Sequence, residues 1–237
     1  MCGRFVVAKA VGDIVTTFEI DEVVGDMPGI SYNVAPTQKI AMVVDRSFEK
    51  DEDGGPLGEL NRELHAARWG LVPRWAKGES EGAPLINGRI ETILEKPSFK
   101  DSVVRRRCVI PASGYYEWQV KPDGTKQPFY INAGEGMFAL AGLYEWWKKP
   151  DGTWLLSATA LTKDSAPELA HIHDRNPLLL TPDTFEAWLD PHIIGDEDLL
   201  QAISQGSDEV AAEALFSPVS ARVGKVSEND PSLILPL

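Results

Sequence analysis

Two stretches with the same layout limit most strongly what this chain can become. Tyr116-Glu117-Trp118 is followed by Lys121-Pro122-Asp123-Gly124-Thr125, and Tyr144-Glu145-Trp146 by Lys149-Pro150-Asp151-Gly152-Thr153. Pro-Asp-Gly suits a turn whose Gly takes a left-handed conformation, and the aromatic residues before it favour extended backbone. Each stretch therefore reads as a bulged β-hairpin, which commits this part of the chain to antiparallel pairing. Shared turn chemistry accounts for the likeness, since two units are too few for a repeat architecture.

The rest of the chain extends that reading. Phe5–Val7, Ile40–Val44, His65–Trp69, Trp154–Thr159, Leu178–Leu180 and Phe216–Val219 read as strands, and the apolar end Leu233–Leu237 as a return to the sheet. Cys108–Ile110 is a strand that runs through Pro111 into Gly114–Trp118. Helices are expected over Val11–Glu19, Pro97–Val104 and Pro182–Leu189, the last with Thr181 as N-cap, and as a pair over Asp196–Ser204 and Asp208–Leu215. Tyr32–Thr37 reads as an ordered loop, and Arg46–Leu60 as a charged, Gly-rich loop or hairpin tip. Gly70–Arg89 is irregular and bears aromatics, the kind of segment that is more often functional than idle. No linker divides the chain. The expectation is one α+β domain over residues 2–237, a mostly antiparallel, barrel-like β-sheet with flanking short helices.

Composition excludes several classes. The 237 residues are 43% hydrophobic, enough for a sizeable core. No apolar run has transmembrane length and no charged-then-apolar leader is present, so a cytoplasmic protein is expected. Cys2 and Cys108 form no metal-spaced pair, and a disulfide framework is not expected in that compartment. The net charge of -13 argues against nonspecific nucleic-acid binding. However, arginines gather at Arg4, Arg68, Arg74, Arg89 and Arg105–Arg107, which is compatible with a basic groove on an acidic body.

The chemistry starts at Met1-Cys2-Gly3-Arg4-Phe5. A side chain as small as that of Cys2 normally allows Met1 to be trimmed, leaving an α-amine and a thiol on adjacent carbons. Their reference pKa values are about 7.7–8.0 and about 8.5, so each is partly nucleophilic near neutrality. The amine can condense with an aldehyde to an imine, and the thiol can close on it to a thiazolidine. Alternatively, the thiolate attacks an acyl carbon with the amine as base. An ordinary small buried cysteine is the plainer reading of Cys2 by itself.

Three further segments carry polar groups beside Gly, Pro and aromatics. Pro84–Arg89 holds Asn87, with two donors and an acceptor, and Arg89, a fork suited to phosphate or carboxylate. Pro111–Trp118 holds Glu117 between aromatics on a strand, where burial would require a raised pKa, as a proton-shuttling acid needs, or charge partners; an exposed strand-face Glu is the plainer reading, and Glu145 has almost the same neighbours. Ala170–Pro177 holds His171 and His173, which share a face if the segment is extended, with Asp174 and Arg175 alongside. No second cluster matches His-X-His, so neither a metal nor a cofactor is expected.

Together, Met1–Phe5, Tyr32–Thr37, Arg68–Pro73, Ile86–Thr92, Cys108–Trp118 and His173–Arg175 resemble, in the same order, the SRAP family of abasic-site processing proteins. The resemblance runs to Pro218-Val219-Ser220. It implies a β-barrel fold with flanking helices that binds single-stranded DNA containing an abasic site, in DNA repair linked to the SOS response. It also implies that the mature N-terminal Cys bonds covalently to the ring-opened sugar, with accompanying lyase or peptidase-like activity. Carried over, Cys2 is the nucleophile, Asn87 orients the amine or sugar, and Arg89 holds phosphate. Glu117 rather than Glu145, and His173 rather than His171, complete the catalytic set. Arg4 and Arg74 are the other phosphate ligands, with the Arg105–Arg107 run as a further candidate, and Trp75 stacks on or wedges beside a base. A monomer, nucleoid-associated when bound to DNA, is expected. Gly88 stands where Ala is common and Asn176 where Met or Arg often follows His-Asp-Arg. The rival readings are an N-terminal-nucleophile glutamine amidotransferase-like hydrolase and a noncatalytic single-strand DNA binder.

Overall fold

The computed structural model describes residues 2–52, 56–79 and 82–237, apart from the side chain of Lys50. The strands are β1 (Phe5–Val7), β2 (Glu22–Val24), β3 (Ser31–Val34), β4 (Lys39–Arg46), β5 (Glu49–Lys50), β6 (Pro56–Leu57), β7 (Asn61–Trp69) and β8 (Asn87–Arg89). They continue with β9 (Arg107–Ala112), β10 (Gly114–Val120), β11 (Lys126–Asn132), β12 (Phe138–Lys148), β13 (Trp154–Asp164), β14 (Arg175–Pro177) and β15 (Leu215–Pro218). The helices are α1 (Val11–Thr17), α2 (Lys100–Arg105), α3 (Pro182–Leu189) and α4 (Glu197–Ala212).

Strands β13, β12, β9, β4 and β7 pair in that order, and a parallel contact of β7 with β13 closes them into a five-stranded barrel. The fold is thus α+β around a mostly antiparallel barrel, as the sequence leads one to expect. A second sheet has the order β15-β11-β10-β1-β3. It grows out of the barrel because β9 passes into β10 with only Ser113 between them. Strand alternation divides the apolar residues between two clusters. Phe5, Val7 and Tyr115 enter the main core with Trp69, Val109, Leu140 and Leu161. Val6 and Tyr116 face the other way, into a smaller cluster with Tyr130, Val219, Val223 and Leu233.

Both hairpins form, with Gly124 and Gly152 at φ +81° and +87°, the left-handed conformation that Pro-Asp-Gly needs. Thr181 caps α3 as expected, its hydroxyl accepting from the Thr184 amide. Several local expectations are corrected. Ser31–Val34 is a strand, not loop, because β1 offers it a pairing edge. Asn87–Arg89 is a strand parallel to β13, an element with no sequence-local partner. Leu178–Leu180 makes bridging backbone bonds to Ala139 and Ala141, and the regular strand lies just before it, at Arg175–Pro177. The expected pair of late helices is one helix that passes through Gly206. There the missing Cβ admits Thr181, and the Ser207 hydroxyl accepts from the Leu179 amide, so packing outweighs the roughly 1 kcal/mol glycine cost. The C-terminal segment does not return to the sheet. Pro231–Ile234 forms a 3-10 turn capped by Asp230, and Pro231 has no amide to give a ladder. The tip between β5 and β6 includes residues outside those described, as does Met1, whose removal the sequence leads one to expect.

Gly114 opens β10 under a tight roof. A Cβ there would lie 2.5 Å from both the Ile131 carbonyl oxygen and Tyr130 Cε2. Gly114→Ala should therefore destabilise the protein by about 1–3 kcal/mol, a loss of several degrees in Tm. Thermal unfolding of the variant checks this; an unchanged Tm would contradict the packing described.

Candidate functional site

The site assembles where the two sheets meet. β1 lies between β10 and β3, with Phe5 opposite Tyr115 on one side and Val34 on the other. This ladder delivers Cys2, 1% exposed, to the barrel end. The Arg4 carbonyl accepts the Tyr116 amide at 2.9 Å and also the Cys2 thiol at 3.7 Å. Asn87 reaches Cys2 from β8, donating from Nδ2 to the Cys2 carbonyl oxygen at 2.7 Å. Its Oδ1 is buried without a hydrogen-bond partner among the described residues.

Glu117, on β10, is 2% exposed. Burial pushes its carboxyl up to about 7 from an ordinary value of 4.5. His173 Nε2 lies 3.8 Å from Glu117 Oε2. Burial lowers the His173 pKa, so the ring is largely neutral at pH 7. Its Nδ1 is 3.0 Å from the Arg175 amide and 2.8 Å from Asp174 Oδ1. The amide can donate to a bare Nδ1, whereas a protonated Nδ1 can donate to the carboxylate, so the ring has a partner in either charge state. Burial, followed by the charge of Glu117, holds the Cys2 thiol well above its ordinary pKa and therefore protonated.

β13 is the template for the other two segments. It pairs with β8 in parallel, Ala160 opposite Asn87, and with β14 antiparallel, Asp164 opposite Arg175. Arg175 locks them together, holding Glu91 through bonds of 2.8 and 2.9 Å, Asp164 at 2.5 Å and the Thr162 carbonyl at 2.8 Å. Between β13 and β14 the chain makes a compact turn, with Ile172 and His173 amides donating to the Leu169 carbonyl. The segment is not extended, so His171 and His173 do not share a face. The His171 ring packs against Phe216 and Phe129, while His173 points to Glu117. Asn176 anchors this turn, its Oδ1 accepting from the Ala166 amide at 2.9 Å. Gly88 is the residue its neighbours admit: a Cβ would lie 2.5 Å from Ile93 Cδ1.

Cys2, Asn87, Glu117 and His173 are thus brought together, and the twin glutamates are told apart. Glu145 is buried between Arg106 at 2.9 Å and Arg74 at 3.3 Å, its charge matched by two guanidiniums. The remaining residues are spread around the site. Arg89 shares the Asn87 side of β8, is exposed and makes no ion pair with the described residues. Arg74 and Trp75 sit on the loop after β7, with the Trp75 ring 64% exposed beside a cavity of about 260 Å³ that Arg68 and Thr37 also line. Arg4 is turned to the C-terminal segment, donating to Asn33 Oδ1 and to the carbonyls of Val223 and Gly224. In the Arg105–Arg107 run, Arg107 is not available to phosphate: it is buried and donates to five carbonyls, among them those of Trp188, Asp190 and Ile193. A larger cavity, about 510 Å³ between α1, α3 and β12, contains none of these residues. Tyr115 was missed by the sequence reading, although alternation along β10 places it on the Glu117 face. No group of three or more His, Cys, Asp or Glu among the described residues is placed to hold a metal, and no helix among them is long and apolar enough to cross a membrane.

A family model described as SOS response associated peptidase (SRAP) matches residues 1–226. The chain belongs to the SRAP family. The abasic site processing protein YoqW of Bacillus subtilis is 39% identical over 99% of both chains. YedK of Escherichia coli, named in the same way, is 30% identical over the full length of both. The rat abasic site processing protein HMCES is 32% identical over 87% of this chain and 65% of its own. A crystal structure of a protein from Bacteroides thetaiotaomicron shares the fold over the whole of both chains, with TM-score 0.78 at 20% identity.

The raised Glu117 pKa makes stability depend on pH. The folded protein keeps that proton up to about pH 7, whereas the unfolded chain loses it near 4.5. The stabilising contribution is complete below 4.5 and is lost as the pH rises through about 7. Glu117→Gln should remove this dependence, making the SRAP variant more stable than wild type above pH 7 by on the order of 3 kcal/mol. Unfolding at pH 5 and pH 8 measures it; a variant that is no more stable at pH 8 would contradict the assigned shift.

Proposed function

We propose that this SRAP protein recognises abasic sites in single-stranded DNA and processes them through a covalent thiazolidine on Cys2. The observation that carries the reading is Cys2 beside a buried carboxyl with a pKa near 7, with Asn87 and His173 on the same site. Loss of Met1 frees the Cys2 amine, and peptidase-like removal by the same site fits the arrangement.

An abasic deoxyribose is mostly a closed hemiacetal. The neutral His173 ring takes the C1 hydroxyl proton and passes it to the ring oxygen, so the C1–O4 bond breaks, O4 leaves as the C4 hydroxyl and the aldehyde forms. The Cys2 amine leads, because its thiol is held protonated by burial. It adds to C1 to give a carbinolamine; protonated Glu117 gives its proton to the departing hydroxyl and its carboxylate takes the proton left on nitrogen, releasing water and the neutral imine. The thiol then adds to C1, its proton ending on the nitrogen. Asn87, bonded to the Cys2 carbonyl, holds the amine in place and offers Oδ1 as acceptor. Loss of the 3′ phosphate from the imine by β-elimination would cut the strand and gives a weak lyase activity. Arg74, Arg89 and Trp75 form the binding surface for the strand, while Arg4 acts by holding β1.

Intact mass of the protein, alone and after incubation with a single-stranded oligonucleotide bearing one abasic site, tests the reading. The expected result is loss of Met1 and a heat-stable adduct lighter than the sum by one water; no adduct would overturn it. Cys2→Ser should give an imine that borohydride traps but no stable adduct. Arg89→Ala should weaken binding at low salt and reduce the slope of log affinity against log salt by about 0.7, one single-strand phosphate contact. A salt titration of binding with both proteins checks the last.

A further inference from the structure

Tyr115 is fully buried, and its hydroxyl has no hydrogen-bond partner among the described residues. Buried hydroxyls are nearly always paired, because a polar group that has lost water without gaining a partner is destabilising. Satisfied tyrosines stand nearby: the next residue, Tyr116, donates from its hydroxyl to the Tyr32 carbonyl at 2.8 Å. The Tyr115 ring is held in one pose by the tilted Phe138 ring, 6.1 Å away, and by Phe5 opposite it on β1.

It lies on the strand face that carries the site. Two residues along β10, on the same face, is Glu117. The Arg4 carbonyl that accepts the Cys2 thiol also accepts the amide of Tyr116, so the thiol hangs over this rung of the ladder. Burial raises the Tyr115 phenol well above its ordinary pKa, and any ionisation of Cys2 or Glu117 raises it further, so it stays protonated. It is therefore a fixed hydrogen-bond donor, not a base.

We propose that the Tyr115 hydroxyl contacts substrate, donating a hydrogen bond to the C4 hydroxyl that opening of the abasic sugar releases. This rests on the abasic-site reading above. In the closed sugar the C4 oxygen is a ring ether tied to C1. In the open chain it is a free hydroxyl three carbons along from C1, the atom bonded to Cys2. The 3′ and 5′ oxygens remain in phosphodiesters, so this is the one hydroxyl that the held sugar offers. Tyr115 thereby favours the open, covalently engaged sugar over the closed one.

Tyr115→Phe removes the hydroxyl and keeps the ring. The test compares wild type and variant in three measurements: Tm, noncovalent affinity for single-stranded DNA carrying a tetrahydrofuran analogue, and rate of adduct formation with a true abasic site. The analogue is permanently closed and has no C4 hydroxyl. Expected are a Tm equal to or above wild type, unchanged analogue affinity, and adduct formation slowed about 3- to 10-fold, the worth of one hydrogen bond. An unchanged adduct rate overturns the role of Tyr115, and so does analogue affinity falling in step with the rate, which a structural role would produce. If wild type itself forms no adduct, the abasic-site reading fails and this inference falls with it.

Discussion

Strand β1 is short, Phe5–Val7, yet it is held on every side. It hydrogen-bonds to β10 and β3, sends Phe5 and Val7 into the main core, and sends Val6 into the smaller cluster behind. Arg4 and Asn33 then bind the carbonyls of the C-terminal segment, from Val223 to Glu228, closing that segment over the strand. A residue next to a chain terminus is ordinarily among the least ordered. Here Cys2 is placed by a ladder, two apolar clusters and a clamp, and the placement of Asn87 and Glu117 around it has meaning only because Cys2 cannot move away.

The electrostatics of the site follow from leaving one carboxyl less compensated than its twin. Glu117 and Glu145 share sequence neighbours and equivalent hairpins, and both are buried. Glu145 lies against two arginines, which match its charge. Glu117 lies against a neutral imidazole and a buried thiol, so burial prevails and its proton is held to about pH 7. The same burial keeps the Cys2 thiol protonated and the His173 ring largely neutral. Desolvation is thus what sets the protonation of thiol, carboxyl and imidazole.

β13 brings the distant segments to this point. At Thr162 it pairs on one edge with Arg89 of β8 and on the other with Pro177 of β14. Arg175 fastens the two across it through Glu91 and Asp164. Asn176 then braces the turn that leads to His173. In this way a rigid barrel strand, rather than a flexible loop, sets the relation between Asn87 and His173.

Much of this was legible in the residues alone. Period-2 alternation and Pro-Asp-Gly turn chemistry determined the hairpins and the antiparallel character of the barrel, because both are local properties of a few adjacent residues. The Thr181-Pro182 start of α3 was legible for the same reason. The ordered motifs from Cys2 to Arg175 determined the family. Tertiary structure decided what depends on residues far apart. It made strands of Asn87–Arg89 and Ser31–Val34 by supplying pairing edges, carried one helix through Gly206 by packing, and turned Leu233 into a core plug. It also separated Glu117 from Glu145 and His173 from His171 in physical terms, turned Arg4 to the C-terminal segment and Arg107 inward, and left the buried Tyr115 hydroxyl without a hydrogen-bond partner among the described residues. Desolvation and hydrogen-bond completion depend on every atom that comes near, and no window of neighbouring residues contains that information.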